Sequence, residues 1–310
     1  MKLRNLFLLL FAAIFAFSAC DDTDNPINPS EKPQPPTKLQ ATSKSETSVL
    51  LRWESSTSET STDFKEYELR ITGGANPFQP IPIAKGITSV EVGNLDEGTI
   101  YTFSIYGKFN DGTLSETAAQ IQWSPATRFI RNQNDQPIRI YESESDLGSG
   151  LAIYDPIGDG PKSVKVANGA QWNIGLDTRS GVLKLASAKL LDYNWGTQPV
   201  IITEIANDYY FANDLDDVFD SQALDAKTFA ERTIDLKQLN SNFVIVTRYK
   251  YPGENEYHYA KILVKYVNNS YLQGAANNRY VEFEISYQKV AGVPYAKVPT
   301  VSQDINTNSK

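Results

Sequence analysis

Three kinds of side chain here could carry chemistry: a solitary thiol, a solitary imidazole and a run of carboxylates. Cys20 is the only cysteine in 310 residues, so no internal disulfide can form and its thiol stays available for modification. His258 is the only histidine and Met1 the only methionine, which removes most routes to a soft-metal site. His258 sits in an alternating stretch, Tyr257 to Val267, on one face with Ala260, Ile262, Val264 and Tyr266. A ring on such an apolar face is read first as packed and structural. Asn213 to Asp220 holds Asp214, Asp216, Asp217 and Asp220, oxygen donors that calcium's flexible coordination tolerates. The central Gly and closing Glu of the helix-loop-helix calcium pattern are missing, and a solvated acidic loop is the plainer expectation. Tyr209, Tyr210, Phe211, Tyr249, Tyr251, Tyr257 and Tyr259 gather near turns. They could stack on a sugar or flat ligand, or pack across strands. There is no Gly-x-Ser-x-Gly, no phosphate loop, and no triad beyond one centred on His258.

The elements that must position these groups read as β structure. Tyr (17) and Phe (14) dominate an aromatic fraction of 11%, with 41% hydrophobic residues, a composition that favours packed strands over disorder. The length suits two globular units plus a leader. A net charge of -8 and dispersed basic residues argue against a nucleic-acid partner, which needs a clustered cationic surface.

Residues 1–19 carry Lys2 and Arg4 ahead of an apolar run, Leu6 to Phe17, too short for an ordinary membrane span and fitting a signal-peptide core. The run ends in Phe17-Ser18-Ala19-Cys20, which resembles the lipobox of bacterial lipoproteins. That resemblance implies diacylglycerol and further acyl chains such as palmitate on Cys20, and several chains together give durable anchoring. Asp21, Asp22 and Asp24 follow and are similar to acidic surface-export signals of such lipoproteins; a merely solvated tether is the alternative. Residues 20–33, with Pro26, Pro29 and Pro33, read as an extended semi-rigid spacer. The expected location is the outer membrane, lipid-anchored, at the cell surface.

Residues 34–126 show the alternation of a sandwich: Val49, Leu51 and Trp53, then Tyr67, Leu69 and Ile71, then Val90 and Val92, then Tyr101, Phe103 and Ile105, with a last strand reaching Trp123. Gly73-Gly74 and Pro77, Pro80 and Pro82 interrupt the pattern. The proline-rich opening, Trp53, Tyr67, and Leu95 to Gly98 followed by Thr99 and Tyr101 resemble a fibronectin type III domain. The resemblance implies that Tyr101 ties its hydroxyl back to the preceding turn, and that the unit is a spacer or an interaction module.

Residues 127–298 contain no repeat of the first unit. Polar Arg131 to Pro137 reads as a boundary, Asp155 to Gly160 as a turn-rich loop, and Phe229 to Leu239 as either a strand or a short helix. Phe243 to Tyr249, a Pro252-Gly253 turn, Tyr257 to Val267, and Tyr280 to Tyr287 form an antiparallel meander. The polar residues 299–310 read as a tail. Val244 to Thr247, Tyr259 to Ile262 and the upstream Trp172-Asn173-Ile174 resemble HmuY-type haem-binding lipoproteins. The resemblance implies haem capture through paired axial ligands, two His or two Met, and this chain holds neither pair. A single haem ligand at His258, opposed by a tyrosine, is what would remain.

The expected whole is all-β: a fibronectin type III-like sandwich followed by a second, mainly antiparallel β domain. Its expected role is non-enzymatic, binding an unidentified extracellular ligand or protein, with no cofactor required and His258, Tyr257, Tyr259, Tyr249 and Tyr251 as candidate contacts. Haem capture is the alternative. A surface glycan-active enzyme, which needs two carboxylates flanking a groove, or an assembly protein comes after it.

Overall fold

The computed structural model describes residues 32–166, 171–191 and 201–296. The leader, Cys20, nearly all of the spacer and the polar tail lie outside the described residues.

Seven strands build the first sandwich: β1 Thr37–Ser45, β2 Ser48–Glu54, β3 Phe64–Thr72, β4 Ile81–Ala84, β5 Ser89–Val92, β6 Tyr101–Phe109 and β7 Ala119–Trp123. One sheet runs β1-β2-β5 and the other β4-β3-β6-β7. The period-two pattern explains the packing, because Val49, Leu51 and Trp53 from one sheet meet Tyr67, Leu69, Phe103 and Ile105 from the other. Trp53 meets Tyr67 edge-on, with ring centroids 5.9 Å apart. The Tyr101 hydroxyl accepts the Asp96 N–H at 3.0 Å, closing the turn as the family resemblance implies. The proline run does not exclude a strand: β4 holds Pro82, and as an edge strand it tolerates a residue that cannot donate.

The second unit contains β8 Thr127–Phe129, β9 Ile138–Tyr141, β10 Gly150–Asp155, β11 Gly160–Val164, β12 Ile174–Asp177 and β13 Lys184–Ser187. It continues with β14 Ile202–Ala206, β15 Tyr210–Phe211, β16 Phe229–Ala230, β17 Thr233–Asp235, β18 Phe243–Lys250, β19 His258–Val264 and β20 Tyr280–Tyr287. A five-stranded sheet, β11-β10-β12-β13-β17, faces an eight-stranded one, β16-β14-β18-β19-β20-β8, with β15 beside β18 and β9 beside β20. Leu151, Ile153, Ile174 and Leu176 meet Ile245, Ile262, Val281 and Ile285 between them. Residues 131–137 are not a linker, since the strands on either side, β8 and β9, both pair with β20. The ambiguous stretch 229–239 resolves into β16, β17 and a single 3-10 turn at Leu236–Gln238. Trp172 packs on the outer face of the smaller sheet, where a Cβ on Gly150 would stand 2.6 Å from its ring.

The two units are joined by more than a chain crossing. The free edge of β1 is covered: Ala41 and Asp220 exchange backbone hydrogen bonds of 2.8 and 2.9 Å, which removes an unpaired edge. Val293 and Tyr295, from the end of the second unit, enter the first unit's core, with Tyr295 5.2 Å from the Trp123 ring. Gly98 has φ +78° and packs directly against Val290, so both backbone sign and close approach demand glycine there.

Candidate functional site

The β18–β19 hairpin carries a file of rings into the space between the sheets. Tyr249 and His258 stand opposite one another in register, their rings 5.3 Å apart and near parallel at 22°. Tyr249 donates to the Tyr287 hydroxyl at 3.0 Å, and that hydroxyl is 3.0 Å from His258 Nδ1. Tyr154, from β10, stacks on Tyr287 at 4.7 Å. Tyr251 meets Tyr249 edge-on at 5.4 Å and donates its hydroxyl hydrogen to the Tyr154 carbonyl at 3.1 Å. Each such pair adds roughly 0.5–1.5 kcal/mol beyond its buried area.

Burial raises the Tyr249 hydroxyl well above its ordinary range, and burial likewise raises those of Tyr287, Tyr251 and Tyr154. These tyrosines are therefore neutral hydrogen-bonding groups rather than phenolates. Their hydroxyls are also engaged: those of Tyr249 and Tyr287 with each other and with His258, that of Tyr251 with the Tyr154 carbonyl, and that of Tyr154 with Asp159. His258 is no better placed: its Nε2 faces the Glu254 carboxylate at 3.6 Å, and its side chain is only 12% exposed. The residues present do not fit an axial haem pair.

Where this file meets the surface, a cleft of about 720 Å³ opens between the β10–β11 hairpin and the turn after β18, a size within the range of small-molecule sites. Tyr154 and Tyr251 form one wall, and Asp155, Lys162, Lys165 and Glu254 supply its charges. Lys162 grips Asp155 at 2.6 Å, and this hydrogen bond holds the Asp155 carboxyl below its ordinary range. Glu254 accepts the Tyr251 N–H at 2.9 Å, and Lys165 pairs with Asp146. Asn173 also lines the cleft and is fully buried. Its Oδ1 accepts the Ile153 N–H at 2.8 Å, while its Nδ2 has no hydrogen-bond partner among the described residues.

The five ring residues singled out in sequence divide by strand parity. Tyr249, Tyr251 and His258 come together between the sheets. Tyr259 packs on the opposite face of the large sheet, with Tyr257 against the same cluster, and Arg248 lies over the Tyr257 ring at 4.2 Å. Sequence reasoning missed Tyr154, Asp155, Lys162, Asn173 and Glu254 as a group, because they converge from β10, β11, the approach to β12 and the β18–β19 turn. Tyr287 was visible as the end of an alternating run.

The acidic stretch serves as an inter-unit seam. Arg128 reaches Asp214 at 3.0 Å, Asp216 at 2.8 Å and Glu284 at 2.7 Å, and Lys44 takes the other Asp216 oxygen at 2.6 Å. Asp214 caps a 3-10 turn, Leu215–Asp217, and Asp217 is exposed. Asp220 is buried, and that burial raises its carboxyl pKa despite the nearby Lys261 charge. Cationic side chains thus sit against Asp214 and Asp216, and no cluster of three or more His, Cys, Asp or Glu suited to a metal occurs among the described residues.

Residues 34–123 match the model of the fibronectin type III domain, and their two-sheet topology agrees, so this segment is a fibronectin type III domain. No curated protein matches the chain. Among solved structures, the chain is similar to a fibronectin type III domain of human collagen XX, with 20% identity over 29% of this chain and 90% of that one, TM-score 0.24. It is also similar to the FN5 domain of Drosophila Lar, with 17% identity over 30% of this chain and 97% of that one, TM-score 0.23. Domains d3-d4 of rat CD45 share 14% identity over 39% of this chain and 83% of that one, TM-score 0.26.

Proposed function

We propose that this protein is a non-enzymatic lipoprotein, anchored in the outer membrane through Cys20 and exposed at the cell surface, whose second domain binds a small extracellular ligand in the Tyr154–Tyr251 cleft. The fibronectin type III domain supports that binding domain. One observation carries the reading: the cleft joins an aromatic wall to ionisable groups already engaged with partners. Such a lining suits holding a ligand. A two-carboxylate glycosidase needs a carboxylic acid raised to donate a proton, whereas Asp155 is held down by Lys162, and the raised Asp220 sits at the inter-unit seam.

The anchor rests on the lone thiol at the end of an apolar leader. Expressed in a lipoprotein-processing bacterium with labelled palmitate, the full chain is expected to take up label and fractionate with membranes. Cys20→Ser should lose both, and unlabelled, soluble wild-type protein would overturn the anchor. Against haem capture, titration of the full chain with haem should give no Soret shift dependent on His258, tested by comparing His258→Ala.

A further inference from the structure

We propose that the Tyr154–Tyr251 cleft takes a neutral, hydroxyl-rich ligand, in chemical class a saccharide. The inference rests on the reading of this cleft as a binding site and adds the chemistry of what enters it. The charges come first. Of the four charged residues lining the cleft, Lys162 is held by Asp155, Lys165 by Asp146, and Glu254 by the Tyr251 N–H with His258 beside it. Each cation of the cleft already faces a carboxylate, Lys162 across a partly buried pair and Lys165 across an exposed one, so an anionic ligand approaching either meets a like charge beside it. A ligand without charge meets no such opposition.

A hydroxyl group is matched well, because it donates and accepts through the same oxygen. Lys162 Nζ and Asp155 Oδ2 stand 2.6 Å apart, a donor and an acceptor side by side. Two neighbouring sugar hydroxyls can bridge such a pair, one accepting from the ammonium and the other donating to the carboxylate, without separating the charges. Asn173 lines the cleft from a buried position, and its Nδ2 has no hydrogen-bond partner among the described residues, a state that is unfavourable for a buried donor. Gln171 and Ser163 add an amide and a hydroxyl to the lining.

The aromatic wall supplies the remaining element. Pyranose rings present C–H faces beside their hydroxyl edges, and a tyrosine matches both with its ring and its polar tip. Tyr251 is fixed for that task by its hydrogen bond to the Tyr154 carbonyl and its edge-on contact with Tyr249. A preset wall loses little freedom when a ligand arrives.

The test is calorimetric titration of the purified full chain, in a non-glycosidic detergent, with neutral gluco-, manno- and xylo-oligosaccharides. Oligogalacturonate and haem serve as anionic probes. At least one neutral oligosaccharide is expected to bind, with Tyr251→Ala raising its Kd at least tenfold. The double variant Asp155→Asn/Lys162→Gln changes no wall packing and is expected to weaken binding severalfold while the melting temperature stays near wild type. Binding of oligogalacturonate alone overturns the neutral character of the ligand, binding of haem alone overturns the saccharide class, and saccharide binding indifferent to both variants overturns its assignment to this cleft. Failure of every probe to bind overturns the cleft as a binding site altogether.

Discussion

Glu142 is almost fully buried, and Arg279 surrounds it: the Arg279 N–H donates at 2.9 Å, Nε at 3.0 Å and Nη2 at 2.7 Å. The Arg279 hydrogen bonds lower the Glu142 pKa in the folded chain. Since the folded value lies below the unfolded one, this carboxylate stabilises the fold fully above the ordinary glutamate range and ceases to do so as pH falls through the folded value. Glu142→Gln is expected to lose about 2 kcal/mol near neutral pH. Urea melts at a series of pH values should then show the variant approaching wild type on acidification, and a pH-independent gap would refute the assigned role. Residues of this kind were poorly legible. Tyr101 could be read because its partner, Asp96, lies five positions away in a recognisable turn, whereas Glu142 and Arg279 are 137 apart. The same distance problem hid the cleft, where Tyr154 meets Tyr251 across two sheets.

At the scale of elements, side-chain pattern was the reliable guide, whether alternating as in β20 or a run buried on both faces as in β18. The hairpin β18–β19 and the strand β20 follow directly from their side-chain pattern, while the register that sets His258 beside Tyr249 emerges only from the strand pairing. Elements set by tertiary contacts were not readable this way. The strand β4 survives Pro82 only because it is an edge, and the acidic loop 213–220 finds its cations, Lys44 and Arg128, in distant parts of the chain. The segment 293–296 is the clearest case: nothing in Val293-Pro294-Tyr295-Ala296 announces that it completes another unit's core. Tyr295 is 5% exposed and packs on Trp123, which is fully buried. Tyr295→Ala should therefore destabilise the protein by about 3 kcal/mol, as large-to-small core changes do. Tryptophan emission should shift as Trp123 gains solvent. A variant with unchanged stability and emission would show that the segment merely lies on the surface.

For the whole molecule, these contacts alter what the first domain can be. A spacer in the ordinary sense is a self-sufficient sandwich joined to its neighbour by a flexible crossing, and relative motion is then the default. Here the neighbour covers the domain's β1 edge and supplies part of its core. Ala41 pairs with Asp220, Arg52 lies over the Phe219 ring at 3.9 Å, Glu97 accepts the Thr127 N–H at 2.9 Å, and Tyr295 fills against Trp123. Such sharing couples the stability of the two units, because neither can open at the seam without exposing the other's buried groups. It also holds the cleft in a fixed orientation relative to the fibronectin type III domain. Calorimetry on residues 32–296 is expected to show one cooperative transition. A fragment of residues 32–126, deprived of Val293, Tyr295 and the cover over β1, should melt roughly 10 °C or more lower, at about 4–8 °C for each kcal/mol lost in a domain of this size. Two separable transitions, with the lower or upper one reproduced unchanged by the isolated fragment, would mean that the sandwich stands alone and that the seam contributes little to its stability.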